Sequence, residues 1–137
     1  MGQIRIDGQI TAGPPNGVAP TQDRSVLSTA LALKGGAGSK PFQVATGFLQ
    51  LTISNSAYQT LPGIGDAPAV THADTLYFFS GSPILVRLTT DDGAGGDVLS
   101  VLPVDGLLIM EFTAQRFLKL LQVLGASPIE FFASGQS

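Results

Sequence analysis

Acid–base chemistry in this chain rests on a single imidazole, because His72 is its only histidine. A Ser-His-Asp site needs such a base to take the proton of its nucleophile. Asp74 follows two residues later, and Ser80 and Ser82 flank Gly81. Neither serine lies in a Gly-x-Ser-x-Gly elbow, since Phe78-Phe79 precedes Ser80. The segment Thr71-His72-Ala73-Asp74 therefore reads as a polar turn before a strand.

Three other constellations invite a chemical reading. Gly35-Gly36-Ala37-Gly38-Ser39-Lys40 resembles a phosphate loop, yet Ser39 precedes Lys40 and Pro41 disfavours a helix there. It reads as a flexible turn. Asp91, Asp92 and Asp97 share one Gly-rich loop, and carboxylate oxygens are the ligands calcium prefers. The EF-hand spacing is missing, so the loop reads as a hairpin tip, with a weak calcium site as the chemical alternative. Glu111 and Glu130 offer a carboxylate pair of the kind that hydrolyses glycosides. Alternation makes both outward residues of half-buried strands, and Arg87 reads the same way, with a partner across the sheet or a subunit boundary.

Composition narrows the field further. The chain has 137 residues, about one domain's worth. Its net charge is −3, which argues against nucleic acid, where phosphates must be neutralised by a basic patch. The absence of Cys excludes disulfides and thiolate zinc sites, and one His excludes a multi-histidine metal cage. There is no Trp, which weakens a sugar-stacking platform, although Tyr58 and the Phe residues remain candidates for one. Charged residues make up 12%, against about 25% in typical soluble domains. Charge keeps monomer surfaces wetted and mutually repelling, so its scarcity predicts a surface covered by other protein. No apolar run is long enough for a membrane helix, no secretory leader is visible, and residue 6 lacks the hydroxyl of a myristoylation signal.

The positioning elements are short and β-favouring. Ile4, Ile6 and Ile10 alternate with polar residues. Residues 12–23, rich in Pro and Gly, read as an extended arm or long loop, so the chain divides into an N-terminal strand with arm at 1–23 and a β-sandwich domain at 24–137. Residues 24–34 and 117–124 each fit strand or helix, the latter capped by Thr113. Leu49, Leu51 and Ile53 show a clear period of two. Residues 75–79, 84–90, 98–102, 107–112 and 129–133 read as further strands. They are separated by turns at 80–83, 91–97, 103–106 and 125–128. Turn signals every 8–12 residues predict an all-β, antiparallel two-sheet sandwich of jelly-roll type. One internal echo stands out: Leu76-Tyr77-Phe78-Phe79-Ser80-Gly81 resembles Ile129-Glu130-Phe131-Phe132-Ala133-Ser134-Gly135.

The arm at 12–23, the run Thr75-Leu76-Tyr77-Phe78-Phe79-Ser80-Gly81-Ser82-Pro83-Ile84-Leu85-Val86-Arg87-Leu88-Thr89 and the tail at 103–134 together resemble small virion structural proteins of tailed bacteriophages. Among these, capsid decoration (cement) proteins are most similar in size and texture. The resemblance implies a non-enzymatic homo-oligomer, dimer or trimer, bound to a major capsid protein or another virion protein on the capsid surface. It implies no cofactor, no membrane and no catalytic or metal residue. A tail, baseplate or head–tail connector component, or a carbohydrate-binding β-sandwich, are the competing expectations.

Overall fold

The computed structural model describes residues 2–5, 9–12, 27–30, 39–65 and 70–136. All of its regular elements are strands. Of the arm expected at 12–23, Ala12 ends a strand and 13–23 lie outside the described residues, as do residues 35–38 of the Gly-rich turn. The chain divides into two units, Gln3–Pro41 and Met1–Gly2 with Phe42–Ser137. In the N-terminal part, β1 (Gly2–Arg5) pairs β4 (Ser39–Phe42), and β2 (Gln9–Ala12) pairs β3 (Leu27–Ala30) antiparallel. Of the ambiguous segment at 24–34, residues 27–30 are strand.

The larger unit is one seven-stranded sheet. Its members are β5 (Val44–Ala45), β6 (Leu49–Ser54), β7 (Gln59–Thr60), β8 (His72–Asp91), β9 (Asp97–Glu111), β10 (Leu118–Leu124) and β11 (Ala126–Gln136). The spine is β8, twenty residues long. On one side it pairs β9 along nearly its whole length. On the other side β11 pairs its first half and β10 its second. Outside β11 lie β6 and β5, and outside β10 lies β7.

Of three segments that read as turns, two are bends inside long strands and the third is a break between consecutive strands. Ser80-Gly81-Ser82-Pro83 lies within β8, and Pro103-Val104-Asp105-Gly106 lies within β9. Gly125 is a one-residue break between β10 and β11. Leu124 stands opposite Leu85, and five residues later Ile129 stands opposite Ser80, five residues back along β8. Register is thus kept through the bend. Along β9, by contrast, Ser80 faces Gly106 and Ile84 faces Val104, so β8 carries two extra residues there. That is a bulge, which bends a strand and increases its twist.

Side chains replace the ladder at this level. Ser82 N–H donates to Ser127 Oγ at 2.9 Å, the Ser127 and Ser80 hydroxyls lie 2.9 Å apart, and Ser80 Oγ donates to the Ser82 carbonyl. Ser127 Oγ also lies 2.8 Å from the Pro128 carbonyl, to which it donates, so the two hydroxyls knit β8 to β11 at the bend. Gly125 sits at φ +138, where a Cβ would also meet Ile84 Cγ2 at 3.0 Å. Only glycine takes that conformation without strain.

The bend curls the sheet into a half-barrel. Leu118 pairs with both Ala73 and Thr90, residues about 55 Å apart along an extended strand. Two contacts report the same closure: Asp91 N–H donates to Phe117 O at 3.0 Å, and the Phe117 and His72 rings lie 4.0 Å apart. Even-numbered residues in the middle of β8, from Leu76 to Leu88, and odd-numbered residues of β10 from Leu121 and of β11 point inward. Leu76, Phe78, Val86, Leu121, Val123 and Phe131 are fully buried there, joined by Ile53, Leu61, Ile64 and Val70. The helical alternative at 117–124 is overruled by this pairing. Thr113 does cap a turn, its Oγ1 accepting from Arg116 N–H at 3.0 Å, but the chain then extends along β8. The echoed segments are neighbours in one sheet, with Leu76 opposite Ala133 and Ser80 opposite Ile129.

Candidate interaction surface

The catalytic constellations are not brought together. His72 and Ser80 lie at opposite ends of the first half of β8, about 25 Å apart along the strand. Thr71 Oγ1 lies 2.9 Å from His72 Nδ1, while Ser80 and Ser82 bond to each other and to Ser127 at the bend. Glu111 stands opposite Thr75 on one side of β8, and Glu130 opposite Phe79 on the other. Strand spacings put the backbones of the two glutamates about 16 Å apart, whereas glycoside hydrolysis uses carboxyl groups roughly 5–9.5 Å apart. Arg87 pairs with neither of them. Its Nε donates to Gln122 Oε1 at 2.8 Å and its guanidinium lies 4.0 Å above the Tyr58 ring. Tyr58, a candidate sugar platform, is therefore capped by a cation.

The acidic loop is a hairpin tip, and a lysine lies among the carboxylates that the calcium alternative would use. Lys119 Nζ lies 2.9 Å from both Asp91 Oδ1 and Asp97 Oδ1, and donates to the Gly96 carbonyl at 3.1 Å. Asp91 Oδ2 accepts from Gly93 N–H at 2.8 Å, and Asp92 Oδ1 accepts from the N–H groups of Ala94 and Gly96 at 2.8 and 3.0 Å. Lys119 holds the Asp91 carboxyl below its usual range, against the opposing effect of burial. The two carboxylates in turn raise the Lys119 ammonium. Among the described residues, no cluster of three or more His, Cys, Asp or Glu is placed to hold a metal. Lys119 carries no motif, and its only signal in the sequence is a lone cation inside the apolar run at 117–124.

What the fold does assemble is an outward face. Register places side chains in rows across the sheet: Ile109–Tyr77–Phe132, Leu107–Phe79–Glu130–Gln50, Pro103–Leu85–Leu124 and Val101–Arg87–Gln122. Apolar side chains on this face are open to solvent: within the rows Leu107 is 59% and Val101 50% exposed, and Leu99, opposite Thr89, is 62% exposed. Phe48, 69% exposed, stacks on Phe132 and meets Tyr77 edge-on. A shallow groove of about 360 Å³ runs beside Phe79, between Gln50, Thr52, Pro128 and Glu130. The charges within the rows are engaged sideways. Glu130 accepts from Gln50 Nε2 at 2.8 Å, and burial, reinforced by the Glu130 carboxylate, raises the Tyr77 phenol.

This surface was partly visible in the sequence. In β9, Val98, Leu99, Val101, Leu102 and Val104, then Leu107, Leu108, Ile109 and Met110, are apolar on both parities. Such continuous apolar runs are typical of strands covered on both faces. Only the structure shows which parity lacks its cover. Among the described residues no helix is long and apolar enough to cross a membrane. Compared with family models, curated proteins and solved structures, the chain gives no match in any of the three.

Proposed function

We propose that this protein is a non-enzymatic structural component that attaches to a protein lattice through the outward face of its curled sheet. The supporting observation is the set of exposed apolar rows on β8 and β9, in which Arg87 and Glu130 are engaged within the molecule. Contiguous exposed apolar patches mark interaction sites in soluble proteins. The setting follows the resemblance: a phage capsid surface, with the major capsid protein or another virion protein as partner and the chain as a homo-oligomeric decoration protein. In this proposal the jelly-roll-like sandwich corresponds to the two halves of the bent sheet, which face each other across one core.

Thermal rupture of virions tests the proposal. Particles lacking the chain, or carrying Phe79→Lys, are expected to assemble and to release their genome at a lower temperature than wild type. Rupture at an unchanged temperature rejects the stabilising role.

A further inference from the structure

The outer edge of β9 has no strand partner among the described residues, and its backbone polarity can be assigned. Asp92 N–H donates to Gly96 O at 3.0 Å at the hairpin tip, and Phe112 N–H donates to Asp74 O at 2.7 Å at the far end. Antiparallel ladders alternate residues that bond to the neighbour with residues whose N–H and C=O point away. Counted inward from both bonds, the even residues of β9 bond to β8 and the odd residues, from 97 to 111, face the open edge. Pro103 falls in the odd set, where its missing N–H takes nothing from the β8 ladder.

That odd set is a palindrome in character about Val104. Asp97 and Glu111 stand at its ends, Leu99 and Val101 mirror Ile109 and Leu107, and Pro103 mirrors Asp105. A two-fold interface demands this self-complementarity, because each residue meets the mirror image of its own pattern. Long, exposed, apolar strand edges are also templates for pairing.

We propose that two copies of this chain join edge to edge through β9, antiparallel about a two-fold axis at Val104. Leu99 then faces the partner's Ile109, and Val101 faces the partner's Leu107. Pro103 accepts from the partner's Asp105 N–H. Asp97 meets the partner's Glu111, and Lys119, 2.9 Å from Asp97, supplies the countercharge. Sliding the register by two residues sets Asp105 against Val101 in one direction and against its own copy in the other, so the register about Val104 is the one that keeps Asp105 away from both. The pairing extends the outward face across both copies. It specifies the homo-oligomer of the proposed function and rests on that reading only for its setting, since it is tested without a lattice.

Sedimentation of the full purified chain is the experiment. Wild type is expected to be a dimer. V101K and L107E, which alter exposed side chains, are each expected to be monomeric, with unchanged circular dichroism. An equal mixture of the two variants is expected to recover dimers, because the new opposite charges then face each other in one of the two equivalent contacts. A monomeric or trimeric wild type, dimeric single variants, or a mixture that stays monomeric overturns the proposal. Amide exchange provides a second reading on the unaltered chain: the N–H groups of Leu99, Val101, Leu107 and Ile109 slow as concentration rises. Exchange independent of concentration also overturns it. Phe79→Lys leaves the dimer intact, so failure of lattice attachment and failure of pairing are separable.

Discussion

The inner and outer sides of β9 are made from the same residue types, yet they end in opposite environments. Inward, Val104 is buried, and Leu102, Leu108 and Met110 pack against the core. Outward, Leu99, Val101 and Leu107 stay largely in solvent. The hairpin tip of the same strand shows a third environment, where Lys119 gathers two carboxylates and backbone carbonyls within one chain. Polar groups at the tip are thus satisfied internally, whereas apolar surface is left open. The outward surface of the sheet is therefore apolar rather than charged.

Removing the inner side has the largest expected effect. Phe131 is fully buried, and Phe131→Ala should cost about 3–5 kcal/mol. Domains of ordinary stability hold only about 5–15 kcal/mol in total. Chemical denaturation measures the loss, and a cost below 1 kcal/mol would show that the inner face is not the true core.

The bend that creates the two faces is tested next. Ser127→Ala removes the acceptor of Ser82 N–H and the hydroxyl beside Ser80, leaving buried groups unsatisfied at about 1–3 kcal/mol. The same denaturation assay applies. An unaltered midpoint would mean that glycine and proline alone set the curvature.

The tip gives the smallest effect, and it depends on pH. Asp91 has a depressed folded value, so its contribution is present above its unfolded value near 3.9 and is lost as pH falls through the lower folded one. Lys119 has a raised value, so its contribution is present below about 10.4 and is lost as pH rises through the higher folded one. Melting temperatures of wild type and Lys119→Met should therefore differ most between those limits and converge outside them. A constant difference across the range would remove the ion pairs as its cause.

Much of the fold was legible because alternation and Gly/Pro punctuation are local signals. Leu49, Leu51 and Ile53 fall in β6 as their period predicts. The pairs Gly81/Pro83, Pro103/Gly106 and Gly125/Pro128 do mark changes of chain direction. They were legible as interruptions, but not as bends within continuous strands. The difference depends on neighbours: Pro103 is tolerated because its nitrogen faces the open edge, and Gly81 because Ser80 and Ser127 supply hydrogen bonds from 47 residues apart. The candidate surface divides the same way. An excess of apolar residues over charges was countable, but which parity of β9 meets solvent required the register with β8.

By itself, the sequence determined that the described chain is β-structured, poor in charge and apolar on both parities of β9. Those properties follow from side-chain type and spacing along the chain. Tertiary structure alone decided that β8 curls until Leu118 meets both of its ends, that Lys119 sits among the loop carboxylates, and that one apolar side stays uncovered. Each of these depends on residues remote in sequence meeting in space, and local periodicity carries no information about such meetings.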